Sequence, residues 1–200
     1  MKYHHGNLKH QLISCAYDWI AANGIDKISL RNIAKIAKVS QTAPYRHFKS
    51  KDHLLAEVAA RGFDNFSQKM NENRPTESLT GDLVKCGVTY VEFGLKNKYI
   101  MELMFHYPIK TNDFPGLSAA ADNAFGILQD KIKDLHQGNT DVTHLNSMSM
   151  HAYVHGLLNI VQMNERIGRS DTTAFYKASA KVKSNLEQML SAFVKNLDFS

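Results

Sequence analysis

The chain has 200 residues, 44% of them hydrophobic and 22% charged, which is enough apolar side chain for a packed core and too much for a disordered segment. No apolar stretch approaches the roughly 20 residues needed to cross a bilayer, so a membrane partner is not expected. The net charge of +5 sits at one end: residues 1–60 hold 9 Lys/Arg against 4 Asp/Glu, whereas residues 61–200 hold 15 of each. A basic first third beside a neutral body is the footprint of a polyanion-binding module, with a solvated cationic face as the plain alternative.

The opening Met1-Lys2-Tyr3-His4-His5-Gly6-Asn7-Leu8 lacks the apolar core of a secretory signal. Together with the isolated Cys15 and Cys86, which suit buried thiols in a reducing compartment, it predicts a cytoplasmic protein. Almost every segment then reads with a helical period and strand signals are nearly absent, so the expected fold is all-α with about nine helices. Leu8, Leu12, Ile13, Ala16, Trp19 and Ile20 form the first apolar stripe, with Asn7 as its expected N-cap and Asn23-Gly24 as its stop. A second helix starts at a Ser29 cap and buries Leu30, Ile33, Ala34 and Ala37. After the joint Lys38-Val39-Ser40, a short helix capped by Ser40 is expected to carry Tyr45 and Phe48. Ser50 caps a longer helix with Leu54, Leu55, Val58, Phe63 and Phe66, which fades into the polar run Asn71-Glu72-Asn73-Arg74-Pro75.

These patterns divide the chain into a first helical domain (1–50), a connecting helix and linker (51–75) and a second helical domain (76–200). In the last, Leu79, Leu83, Cys86, Tyr90 and Phe93 make one stripe, and Ile100, Leu103, Met104 and Tyr107 another before Pro108. Pro115-Gly116 opens a helix closed by Gly138, and two long helices over 141–164 and 171–197 finish the chain.

Two short helices joined by a tight turn, the second polar and aromatic, describe a helix-turn-helix, though an ordinary helical hairpin shares much of the pattern. Ile33, Ala34, Ala37 and Val39 are small enough for a close crossing. Gln41, Thr42, Ala43 and Pro44 are short side chains at the tip, suited to base edges in a major groove. Tyr45, His47 and Lys51 are placed to hold phosphates, and Ser29, Arg31 and Arg46 complete the candidate set.

The run SLRNIAKIAKVSQTAPYRHFKSKDHLL over residues 29–55 resembles the DNA-binding domain of the tetracycline-repressor (TetR) family, most closely at Tyr45-x-His47-Phe48-x-x-Lys51 followed by Leu54-Leu55. The opening around Tyr3-His4-His5-Gly6-Asn7 and the later Val154-His155-Gly156-Leu157 are similar to one branch of that family, which carries a His-Gly element. Two positions depart from the pattern: Lys38 stands where the turn usually has Gly, and His151 where the branch tends to have Trp. The resemblance implies that Ser29, Tyr45, His47 and Lys51 touch phosphates and that residues 41–46 read bases. It further implies a repressor that binds a palindromic double-stranded DNA operator as a homodimer, paired through its last two helices, and is released by a small-molecule effector. His155, Gly156, Phe175, Leu186, Met189 and Phe193 are the interface candidates, an intrachain core being the alternative for such a stripe.

An apolar effector pocket is expected from the middle helices, with Tyr90, Phe93, Met104, Phe105, Phe125 and Tyr153 as its lining, although aromatic stripes at helical spacing are often plain core. His144, Met148, His151 and His155 share one helical face, and the His151/His155 spacing can hold a metal. With no Asp or Glu on that stripe, the expectation is no metal, no cofactor and hydrogen-bonded histidines. Phosphate loops and nucleophile elbows are missing, so no enzyme activity is expected.

Overall fold

The structure is a computed structural model that describes residues 5–135, 140–167 and 173–197. Among the described residues it contains nine α-helices and three 3₁₀ turns, with no strand. In chain order these are α1 (His5–Asn23), α2 (Leu30–Ile36), a 3₁₀ turn (Ala43–Arg46), α3 (Lys51–Asn71), α4 (Leu79–Lys96), α5 (Lys98–Phe105), a 3₁₀ turn (Thr111–Asp113), α6 (Pro115–Leu135), α7 (Thr140–Ile167), α8 (Ala174–Ser179), a 3₁₀ turn (Lys183–Asn185) and α9 (Leu186–Lys195). None of the described helices is long and apolar enough to cross a membrane. The residues gather into two compact units: those up to Asn65 with Asn97–Asn123, and Phe66–Lys96 with those from Ala124 onward.

In the first unit, Leu12, Ile13, Ala16 and Ile20 of α1 are buried as their spacing requires, together with Leu30, Ile33 and Ala34 of α2. α1 begins at His5, so Asn7 lies inside the helix and is not its cap. The helix stops at Gly24, whose φ of +79° is free of strain for glycine and whose N–H donates to the Ile20 carbonyl at 2.8 Å. α2 is capped as expected, the Asn32 N–H donating to Ser29 Oγ at 3.1 Å. It ends in a Schellman turn: the Val39 N–H donates to Ala34 O at 3.0 Å and the Lys38 N–H to Lys35 O at 3.2 Å. That motif needs a left-handed residue between them, and Lys38 supplies it with φ +56°, the one non-glycine with positive φ among the described residues. A side chain there costs about 1 kcal/mol relative to glycine.

The second unit is built on α4, which packs against α7 and α9. Two glycines permit the approach. A Cβ on Gly87 would come within 2.7 Å of Leu190 Cδ2, and one on Gly94 would collide with Leu158 Cδ2. The expected long final helix is interrupted. α8 ends at Ser179, and the backbone continues through i−3 hydrogen bonds such as Lys181 N–H to Ala178 O and Val182 N–H to Ser179 O. At this break the Lys181 carbonyl accepts from the Asn185 N–H at 3.1 Å and also from Ser184 Oγ and Asn185 Nδ2, at 3.1 and 2.8 Å. The Gly138 stop and the Asp171 start lie outside the described residues.

Candidate functional site

The turn between α2 and α3 is held from beneath. Phe48 is fully buried, and the Pro44 carbonyl accepts from both His47 N–H and Phe48 N–H at 2.9 Å, closing the turn. Gln11 Nε2 of α1 donates to Ala37 O at 3.2 Å, tying down the end of α2. On the far side α3 starts under a Ser50 cap, with the His53 N–H donating to Ser50 Oγ at 3.1 Å. Two anchored helices thus present a short segment between them.

That segment is a 3₁₀ turn over Ala43–Arg46 and is tighter than the expected α-helix. Its cap is Thr42, which makes no side-chain capping bond. The Ser40 hydroxyl instead meets Thr42 Oγ1 at 3.2 Å, and Ser40 contributes through its carbonyl, which accepts from Ala43 N–H at 3.0 Å. Gln41, Thr42, Tyr45 and Arg46 are exposed, Tyr45 to 54%. Ala43 and His47 are half-buried, and Pro44 is buried at the start of the turn, where its fixed φ suits a helical first position. Ser29 and Lys51 are half-buried at the first turns of α2 and α3, and Arg31 is exposed on α2. Lys51 occupies the first position of α3, where the helix dipole disfavours a cation. Between Asp26 and Asp52 the sequence holds seven Lys/Arg and no carboxylate. Lys27, Lys35, Lys38 and Lys49 belong to this set and lie outside the candidate positions of the turn.

In the second unit Tyr90 and Phe93 are buried and Phe125 is half-buried. Tyr90 meets Phe66 edge-on at 5.5 Å between centroids, and His151 lies edge-on to both Tyr90 and Phe125 at 5.7 and 6.3 Å. His155 stacks on His151 at 5.7 Å, and its Nδ1 is hydrogen-bonded with the Tyr90 hydroxyl, 2.8 Å away. Burial, and then the neighbouring His155, hold His151 below the usual imidazole range. Tyr153 is engaged elsewhere, stacked on Phe193 at 4.1 Å and donating to Met189 O at 3.3 Å. Met104 and Phe105 belong to the first unit, where Phe105 packs edge-on against Phe63 at 5.5 Å. No group of three or more His, Cys, Asp or Glu among the described residues is arranged to hold a metal.

Of the interface candidates, Phe175 is 62% exposed, His155, Gly156, Met189 and Phe193 are half-buried, and Leu186 is buried. A groove of about 430 Å³ runs along Ile160, Phe175, Val182 and Met189. Leu145 and Met148 on α7 are more than half exposed. Of the two thiols, Cys15 is half-buried, and burial pushes the Cys86 thiol of α4 up to about 11.

Residues 12–58 match the family described as "Bacterial regulatory proteins, tetR family". Over 104 residues the chain is 24% identical to the HTH-type transcriptional regulator QacR of Staphylococcus aureus (strain Mu50 / ATCC 700699), covering 52% of this chain and 50% of that protein. The chain thus aligns with about half the length of the curated relative it matches. Its fold is similar to that of a protein of unknown function from Rhodococcus sp. RHA1, with TM-score 0.70, 21% identity and coverage of 96% of this chain and 99% of the other. It is also similar to the transcriptional regulator FadR from Bacillus subtilis in complex with stearoyl-CoA, with TM-score 0.63, 16% identity and coverage of 88% and 96%. Residues 12–58 are thus similar to the helix-turn-helix segment of the tetR family of bacterial regulatory proteins, and the chain shares the all-helical fold of these solved structures.

Proposed function

We propose that the protein is a cytoplasmic transcriptional repressor that binds a two-fold symmetric DNA operator as a homodimer and leaves it when a small molecule binds the second unit. The observation that carries this reading is the turn itself. Gln41, Thr42, Tyr45 and Arg46 are exposed on a segment braced from both sides, within a stretch of sequence that has no negative charge. Gln41 to Arg46 are assigned to base edges. Ser29, Arg31, Tyr45, His47 and Lys51 are assigned to phosphates, Ser29 and Lys51 from the first turns of α2 and α3.

The dimer is assigned to the last helices. A Cβ on Gly156 would meet nothing within 4 Å in its own chain, so the room left there suits a neighbouring helix from a second copy. His155 and Gly156 also carry the assignment to the His-Gly branch. The effector site is assigned to the aromatic and imidazole cluster around Tyr90, Phe93 and Phe125 in the second unit, with a largely apolar molecule as the occupant. That the FadR fold was solved with stearoyl-CoA supports a ligand-holding helical domain of this kind. α3 has residues in both units and is the covalent route by which ligand occupancy changes the set of the turn.

In vitro selection of the full chain on a random duplex pool tests the reading. A two-fold symmetric site with half-sites roughly one helical turn apart, or a close multiple, is expected. Weak binding to all sequences alike would defeat it. A screen for molecules that release the selected site then tests the effector assignment.

A further inference from the structure

Four of the seven cations between Asp26 and Asp52 recur at helical spacing: Lys27, Arg31, Lys35 and Lys38 stand four, four and three residues apart. Arg31 and Lys35 lie one above the other on α2, Lys38 follows in the turn just past its end, and Lys27 stands in the turn that precedes the extended cap Ser29. All four are exposed, and none forms an ion pair with a carboxylate among the described residues. The row is unfavourable to the fold in two ways. Like charges at i, i+4 repel on a helix surface, and Lys38 holds a left-handed backbone that glycine would adopt without strain. The α2 dipole favours a cation in its last turn, but Lys35 already meets that need and Lys38 is not required for it.

We propose that Lys27, Arg31, Lys35 and Lys38 form a second nucleic-acid contact, a track for the sugar–phosphate backbone of duplex DNA flanking the half-site and distinct from the turn that reads bases. The inference rests on the DNA-binding reading and extends it. The row belongs to the same compact unit as the turn and begins two residues before the cap of α2. Its side chains are all long, flexible and cationic, the type that holds phosphate oxygens. Such a track adds affinity and salt dependence by releasing counterions, carries no sequence information, and lengthens the footprint beyond the bases read.

The test is fluorescence anisotropy of the full chain on its selected site and on a scrambled duplex at several salt concentrations. The variants are Lys35→Gln, Lys38→Asn and their combination, asparagine being chosen because it tolerates the left-handed backbone. Each single change should make the slope of log K against log salt shallower by about 0.9, and the pair by about twice that, equally on both duplexes. The selected sequence should not change, and arginine at both positions should restore the slope. Lys177→Gln, an exposed lysine on α8, is the control and should leave the slope unchanged. A double variant that keeps the parent slope would overturn the track while leaving the DNA-binding reading in place. A parent protein that shows no salt-dependent duplex binding would instead remove both.

Discussion

The Tyr90 hydroxyl lies 2.8 Å from Nδ1 of His155, and this bond joins α4 to α7 inside the second unit. Burial pushes the Tyr90 phenol far above its ordinary range, so it stays protonated and can donate. The bond admits two arrangements, Nδ1 accepting with the neutral imidazole proton on Nε2, or Nδ1–H donating to the phenol oxygen. Tyr90→Phe should cost about 1 kcal/mol and lower the melting temperature by roughly 2–4 °C. In the phenylalanine variant the His155 ring should show both tautomers by nitrogen NMR. A single tautomer identical to the parent would mean that another group sets it.

His151 introduces a pH dependence. Its folded pKa is lowered by burial and by His155, so the unfolded chain takes up a proton first as pH falls. Its contribution is therefore full above the ordinary histidine range and is lost as pH drops through the lowered folded value. His151→Gln should flatten the acid limb of the melting-temperature profile below about pH 6.5. An acid limb of unchanged steepness would assign the loss to other groups.

Lys38 and Gly24 make opposite predictions from the same backbone region. Lys38→Gly should raise stability by about 1 kcal/mol, because φ +56° is strained for lysine and natural for glycine. Gly24→Ala should lower it by a similar amount, since φ +79° is there and a Cβ would also press the Tyr99 ring at 3.4 Å. Chemical denaturation of the two variants measures both, and a Lys38→Gly protein no more stable than its parent would refute the strain.

Gly94 faces Leu158 so closely that a methyl group cannot be added without movement of a buried side chain. Gly94→Ala should therefore destabilise by about 1–3 kcal/mol despite alanine's better helix propensity. In a Leu158→Ala background the same change should be close to neutral. A double-mutant cycle with no coupling would show that the two helices adjust freely.

Tyr45→Ala and Lys51→Ala should weaken binding to selected and unrelated duplexes by similar factors. Gln41→Ala and Arg46→Ala should instead relax preference at particular base pairs, each by about 1–3 kcal/mol of discrimination. Repeating the selection with each variant separates the two classes. Uniform weakening by all four would require other residues to read the bases.

Most of the helical pattern was legible because it depends on local rules. Ser29 and Ser50 cap as their positions predict, and the buried stripes follow their apolar periods in α1 and in α4 from Leu83 to Phe93, Leu79 at the start of α4 being exposed. What the sequence concealed depends on competition between near-equal alternatives. Ser40 can cap through its hydroxyl or its carbonyl, and only the tightness of the Pro44 turn decides for the carbonyl. Residues 174–195 have one apolar period, yet the backbone tightens into i−3 bonds at Lys181 and Val182 and the helix divides there. The Lys38 strain was legible in part, since a missing glycine can be noticed, but the sign of φ is fixed by the turn's geometry.

The thiol of Cys86 offers a built-in clock. Buried in α4 and pushed up to about 11, it holds almost no thiolate at neutral pH and is shielded from alkylating reagents while the second unit is intact. Cys15, half-buried in α1, belongs to the other unit. Mass spectrometry after timed alkylation resolves the two sites by peptide. The rate at Cys86 then reports how often the second unit opens, with no label introduced. Any molecule that binds and stabilises that unit slows the rate in proportion to its occupancy, so effectors can be ranked on the unmodified protein before its operator is known.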